Sequence, residues 1–112
     1  VEWSFPKVWQ REPTALQCLT LIRVVEESLT NIIKHSQATK VSVSMEYTQP
    51  HQLTLKIQDN GVGFNPEMVQ KNGMSIGMRS MKMRIERMGG MLDIQSVKGN
   101  TCVHVVMELY QP

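Results

Sequence analysis

The stretch Asp59-Asn60-Gly61-Val62-Gly63-Phe64 constrains this chain more than any other, because of what precedes it. Leu53-Thr54-Leu55-Lys56-Ile57-Gln58 alternates apolar and polar residues, the period of a half-buried strand. The strand therefore ends on a carboxylate, followed by two glycines one residue apart. Glycine has no side chain to block a close approach and accepts the backbone angles of a tight loop, so such a loop can hold a ligand against bare backbone. A carboxylate only accepts hydrogen bonds, which suits Asp59 to a donor such as an exocyclic amine. The plain alternative is an ordinary Asp-Asn-Gly turn closing a strand. The flanking sequence has to decide between them.

Val1 to Phe5 alternates and reads as a first strand, and Pro6 to Pro13 as a loop. Thr14-Ala15-Leu16-Gln17 fits a capping box and opens a helix that runs to about Ser36. Leu19, Ile22, Val25, Leu29, Ile32 and Ile33 recur at helical spacing and are expected to face the core. Arg23, Glu27, Asn31 and Lys34 make a second, polar stripe on one face. Lys40 to Thr48 is a strand with Val41, Val43, Met45 and Tyr47 alternating, and a turn at residues 49–52 leads into the strand that delivers the glycine loop. Asn65-Pro66-Glu67 is expected to start a short helix that Lys71-Asn72-Gly73 breaks. Ser75 to Met88 reads as a helix with Met78, Met81, Ile85 and Met88 on one side, ended by Gly89-Gly90. Met91 to Val97 and Thr101 to Leu109 are two strands joined at residues 98–100. The sum is an α+β fold, a two-layer α/β sandwich with about five strands in a mixed or antiparallel sheet and helices on one face.

A chain of 112 residues, 41% of them hydrophobic, suffices for one domain with one core. A net charge of +2 gives no argument for nucleic acid. No apolar run approaches the roughly 20 residues that span a bilayer. Cys18 and Cys102 lack metal-ligand spacing and are expected to be buried thiols in a reducing compartment. The chain starts at Val1 without an initiator Met and is expected to be a piece of something longer.

Three further stretches carry chemistry, each with a plain alternative. Glu27 and Asn31 stand one helical turn apart and can point at one bound species. Asn31 offers a neutral oxygen to a hard cation, and Mg²⁺ favours oxygen ligands, waters and substrate phosphates. Glu27 can orient a water, and Lys34 can meet phosphate as a point charge. The alternative is a solvated helix face. Gly73-Met74-Ser75-Ile76-Gly77 before a helix makes a lid whose amides can face an anion, with Arg79 and Lys82 adding positive potential; the alternative is a capping loop. Arg79, Lys82, Arg84 and Arg87 are too few, without interleaved aromatics, to grip nucleic acid. Gly99-Asn100-Thr101 is either a hairpin turn or the place where the Thr101 hydroxyl helps Asp59 and a water hold an adenine edge.

The order of these stretches resembles the Bergerat-fold ATP-binding domain shared by sensor histidine kinases, type II topoisomerases, a large ATP-dependent chaperone and mismatch-repair ATPases. The resemblance runs from about Ala15 to Leu109 and is most specific to sensor kinases of the nitrate-sensor, NarL-partnered subfamily. Residues Leu21 to Ser36 look like that subfamily's Asn box, Asp59 to Phe64 like its first glycine box, and Gly77 to Ile85 like its second. The resemblance implies that Asp59 accepts from the adenine amine and that Gly61 and Gly63 pass beneath the nucleotide. It implies that Asn31 binds the Mg²⁺ bridging the phosphates and that Lys34 and His35 meet phosphate oxygens. Gly77 and Met78 would form the lid at the triphosphate, and Thr101 would assist Asp59. Glu27 matches the residue that activates water in the family's ATPases; in its kinases it would serve the metal and its waters.

The implied function is transfer of the γ-phosphate of ATP to a histidine on an upstream dimerisation hairpin of the same parent chain, in a two-component system with a response regulator of NarL type. A cytoplasmic domain, monomeric alone, would sit in a homodimeric parent, with or without a membrane anchor. No nucleic acid is implied. An anti-sigma-type serine kinase and a catalytically silent nucleotide-sensing module are the competing functions. Two positions depart from the subfamily pattern: Met83 stands where an acidic residue is usual, and Asn100 replaces a glycine, a change that asparagine's tolerance of left-handed backbone accommodates; the lid over residues 65–76 is short and lacks the aromatic box of long-lidded kinases, as is normal for the subfamily.

Overall fold

The computed structural model describes residues 1–8, 12–49, 51–61, 76–97 and 99–109. Five strands form one sheet: β1 (Glu2–Ser4), β2 (Val41–Gln49), β3 (Gln52–Asp59), β4 (Met91–Val97) and β5 (Asn100–Glu108), in the order β1-β2-β3-β5-β4. β1 pairs parallel to β2 and the other neighbours pair antiparallel, so the sheet is mixed. The helices are α1 (Ala15–Asn31), which continues as a wider π-helical turn over Ile32–Ser36, and α2 (Ile76–Arg87). The expected elements at residues 65–73 lie outside the described residues.

Strand alternation decides the layers. Val43, Leu53, Leu55, Ile57, Val103, Val105 and Met107 project from one face of the sheet into a single buried cluster. Leu21 and Val24 of α1 and Met81 and Ile85 of α2 enter the same cluster, which puts both helices on that face. The opposite face carries residues such as Ser42, Ser44, Lys56 and His104, which are half-buried. This is the expected two-layer α+β sandwich.

The capping box at α1 forms as expected. Gln17 N donates to Thr14 Oγ1 at 3.1 Å, and Thr14 N donates to Gln17 Oε1 at 2.9 Å. At the end of α2, Gly89 takes a left-handed φ of 80°, and Gly90 N donates back to Ile85 O at 2.9 Å. A Cβ on Gly90 would stand 2.6 Å from the Val106 carbonyl oxygen. Glycine is thus the residue that lets α2 turn directly onto the sheet.

The buried face of α1 differs from the expected one. Val25, Leu29 and Ile32 pack against the core, but Leu19, Ile22 and Ile33 are 48%, 53% and 84% exposed. The face turned to the sheet carries Gln17, Thr20, Leu21, Val24 and Ser28. Its polar members hide it from a hydrophobicity pattern, and hydrogen bonds explain two of them. Gln17 Nε2 donates to Glu108 O at 2.8 Å, and Thr20 Oγ1 donates to Leu16 O at 2.8 Å. The cysteines also differ. Both are free, but Cys18 is exposed because it lies off the sheet-facing stripe of α1, and Cys102 is half-buried on the open face of the sheet. Burial pushes the Cys102 thiol up, partly offset by Lys56, with Asp93 adding to the rise.

Candidate functional site

Asp59 and Thr101 are the chemical centre of the sheet's end. The register of β3 against β5 sets them directly opposite one another, and they are 5% and 4% exposed. A buried carboxylate needs donors, and Gly61 N supplies one to Asp59 Oδ1 at 2.9 Å. That bond folds the chain back under the carboxylate as β3 ends. Gly61, itself buried, returns a carbonyl to Gly99 N at 2.9 Å. The loop after β3 and the turn before β5 are therefore stitched together beside the Asp59–Thr101 pair. Gly99 has a left-handed φ of 86°, the conformation that this turn requires and that glycine adopts without strain.

Asn60 is a structural residue that the sequence reading left unassigned. Its Oδ1 accepts from Thr39 N and Lys40 N, both at 2.9 Å, and its Nδ2 donates to Thr39 Oγ1 at 2.8 Å. It clamps the entry to β2 against the exit of β3 and fixes where Asp59 points. A hollow of about 410 Å³ opens at this end. It takes in Asp59 from the helix-covered side and Gln58 and Ser42 from the open face. A second, apolar groove of about 380 Å³ lies between Cys18 and Ile22 of α1 and Met45 and Leu53 of the sheet, and contains none of the candidate site residues.

α1 carries the other candidates at its C-terminal end. The Gln17–Glu108 bond pins the start of the helix over the far end of β5, where Glu108 pairs with Gln52. From there, Gln52 to Asp59 spans about 23 Å of strand, and Gln17 to Asn31 spans about 21 Å of helix. Helix and strand thus run matched lengths from their shared pin. Glu27 and Asn31 are both half-buried, one turn apart, and Lys34 is exposed in the π-helical turn beyond. His35 has its backbone in that turn; its side chain lies outside what is described. The C-terminal end of a helix carries partial negative charge, and Glu27 and Asn31 add oxygen donors there. That donor set suits Mg²⁺ held partly by protein and partly by phosphate oxygens and waters.

Gly77 and Met78 lie in the first turn of α2, where backbone N–H groups lack helical partners. Gly63 lies outside the described residues, as do residues 65–75 of the expected lid over 65–76. Glu86 and the basic Arg79, Lys82, Arg84 and Arg87 are exposed, away from the core stripe of Met81 and Ile85. Among the described residues no helix is long and apolar enough to cross a membrane.

Residues 18–111 match the family described as histidine kinase-, DNA gyrase B-, and HSP90-like ATPase. The chain is 42% identical over 79 residues to the sensor histidine kinase LiaS of Bacillus subtilis, a match covering 70% of this chain and 21% of LiaS. It is 36% identical over 94 residues to the signal transduction histidine-protein kinase/phosphatase UhpB of Salmonella typhimurium, covering 81% of this chain and 18% of UhpB. The chain thus spans about a fifth of the length of these curated relatives. Among solved structures, the blue-light activated histidine kinase of Erythrobacter litoralis superposes with a TM-score of 0.73 at 20% identity, covering 96% of this chain and 34% of that one. AdeS, a histidine kinase of Acinetobacter baumannii, superposes with a TM-score of 0.69 at 19% identity, covering 85% and 48%. Those two share the fold; the family match over nearly the whole sequence goes further, and the chain belongs to the histidine kinase-, DNA gyrase B- and HSP90-like ATPases.

Proposed function

We propose that residues 1–112 are the single ATP-binding catalytic domain of a longer sensor histidine kinase, which binds Mg-ATP and presents its γ-phosphate to a histidine on an upstream dimerisation hairpin. The observation that carries this reading is the buried Asp59–Thr101 pair at the sheet's end, with Gly61 folded back onto the Asp59 carboxylate. Asp59 accepts from the adenine amine and Thr101 flanks it. Gly61 and Gly63 leave room for the nucleotide to lie on the backbone. Asn31 contributes a metal ligand, Glu27 orients the metal's waters, and Lys34 and His35 meet phosphate oxygens. Gly77 and Met78, at the start of α2, direct backbone amides at the anion. When bound, Mg²⁺ neutralises charge across the phosphates. The domain's own work is positioning and charge neutralisation, which is most of what phosphoryl transfer asks of a protein.

The parent is read as a homodimer, with the isolated domain monomeric, cytoplasmic and partnered by a response regulator of NarL type rather than by nucleic acid. The Asn-box sequence from Leu21 to Ser36 and the match to UhpB support the regulator class. The names of the curated relatives favour a histidine kinase over a serine kinase or a silent sensing module.

The acceptor is expected elsewhere in the parent. His51 is exposed in the β2–β3 turn, 3.8 Å from Glu108, and His104 lies on the open face of the sheet; neither is at the Asp59 end. Incubated with Mg²⁺ and γ-labelled ATP, this chain alone is expected to show no acid-labile, base-stable phosphate, whereas a parent chain carrying the hairpin labels on one histidine. Stable phosphohistidine on the isolated chain would overturn the assignment of the acceptor. An unlabelled parent would overturn the kinase reading.

A further inference from the structure

The residues that α1 turns away from the sheet keep a pattern of their own. Ala15, Leu19, Ile22, Glu26, Leu29 and Ile33 follow one another at intervals of four, three, four, three and four. All are exposed except Leu29, which is half-buried, and only Glu26 is charged. Alternation of three and four is the heptad spacing by which one helix seats another along a single apolar seam. A second apolar surface borders the same side of the helix. The groove of about 380 Å³ beside Cys18 and Ile22 is lined across from them by Met45 of β2. Two residues back on the same face of β2, Val43 stands opposite Trp3 of β1. Trp3 and Phe5 stack with ring centroids 6.0 Å apart, yet they remain 53% and 48% exposed. The helix-side face of the sheet is thus buried over β3 and β5 and left open over β1. Apolar surface on an edge strand is a hazard that proteins cover.

We infer that the trough between α1 and β1 seats an amphipathic helix from the upstream hairpin of the parent, packed against Leu19, Ile22 and the Trp3–Phe5 pair. Three observations select this occupant. The heptad spacing calls for a helix rather than a strand. The hairpin proposed above joins the chain ahead of β1, the strand that borders the trough. The match to LiaS takes up 21% of that relative, so most of a comparable parent lies outside this chain. Tethering holds such a helix at a roughly millimolar effective concentration, so a short seam suffices. Glu26, in the middle of the row, calls for a cation on the partner helix. The groove contains none of the candidate nucleotide residues, and Glu27 and Asn31 lie off the heptad row. The docked domain therefore keeps its nucleotide site open. The contact governs where the domain rests, not whether it binds ATP. This inference rests on the longer parent proposed above.

Cys18 is a free, exposed thiol in the lining of the groove, so its reactivity reports whether the groove is covered. The test compares the rate at which a neutral maleimide modifies Cys18 in the chain alone and in the parent carrying the hairpin, read by mass spectrometry of the peptides. Cys102, on the opposite face of the sheet, is the control. Docking should slow Cys18 in the parent by about tenfold or more, the ratio for a groove open about a tenth of the time, and leave Cys102 unchanged. Ile22→Glu and Leu19→Glu, each made in the chain and in the parent, should return the ratio to about one, because a charge would have to be buried in the seam. Both positions are exposed and Glu is a good helix former, so each variant chain should melt within about 4 °C of the original. Two variants keep the test intact if one of them folds poorly. Cys18 rates in the parent and the chain that agree within about twofold would overturn the inference, and so would slowing that survives both substitutions. Slowing in the chain alone that grows with its concentration would assign the face to a second copy and overturn it too. A parent that transfers phosphate to its hairpin but leaves Cys18 as reactive as in the chain loses the dock and keeps the kinase reading. A parent that protects Cys18 but transfers no phosphate loses the kinase reading and keeps the dock.

Discussion

Asp59→Asn is expected to weaken Mg-ATP binding by about 10- to 150-fold while leaving the domain folded. The range is that of one hydrogen bond to a charged group, about 1.5–3 kcal/mol. Asp59 is buried, paired across the sheet with Thr101, and already accepts from Gly61 N through one oxygen. Its carboxylate offers acceptors only, which is what an exocyclic amine needs. Asparagine keeps the size but replaces one oxygen with a donor. Either that amide nitrogen faces the adenine amine, donor against donor, or it faces Gly61 N with the same conflict. The cost therefore falls on binding or on the loop, and the loop's share is bounded. Its bonds from Asn60 to Thr39 and Lys40 and from Gly99 to Gly61 remain, so a loss of about 1 kcal/mol in stability is expected. Calorimetric titration together with a melting curve separates the two. Unchanged affinity in a folded Asp59→Asn chain would remove Asp59 from the adenine contact.

Leu55→Ala should cost about 2–5 kcal/mol of stability, out of a total typically near 5–15 kcal/mol for a domain of this size. Leu55 lies at the centre of the buried sheet face, fully buried, with Met45 and Val105 opposite it on the neighbouring strands. Removing its isobutyl group leaves a void that three strands and α1 cannot close without shifting the register that aligns Asp59 with Thr101. Thermal unfolding should fall by roughly 10–20 °C. Ile33→Ala makes the internal control. The apolar spacing of α1 places Ile33 in the core, but it is 84% exposed, and truncating it should change stability by less than about 0.5 kcal/mol. A drop of only a few degrees for Leu55→Ala, or a larger one for Ile33→Ala, would contradict the layer assignment.

That contrast marks where the sequence was legible. Strands were readable because alternation is a period-two signal that burial on one face enforces. The capping box was readable because its partners are three residues apart, and the Gly89-Gly90 stop because a helix end needs a left-handed residue there. The buried face of α1 was not readable from hydrophobicity. Gln17 earns its place through a hydrogen bond to Glu108, ninety-one residues away, and no local pattern carries that. Once Gln17, Thr20 and Ser28 turn inward, Leu19, Ile22 and Ile33 must turn outward. The exposure of Cys18 follows from the same rotation. At the site, residue types and order pointed to Asp59 and Thr101 separately; only the β3–β5 register sets them opposite each other. The clamp made by Asn60 was hidden for the same reason, since its partners Thr39 and Lys40 belong to another strand's entry.

The most direct test of a nucleotide site at this end of the sheet is to follow backbone amide resonances of the chain as Mg²⁺ and a non-hydrolysable ATP analogue are added. Gly61, whose N–H is held by Asp59, together with Thr101 and Asn31, should shift saturably and with one common affinity. Amides of the groove beside Cys18 should stay in place. Saturable shifts confined to that groove, or none anywhere at millimolar nucleotide, would contradict the account.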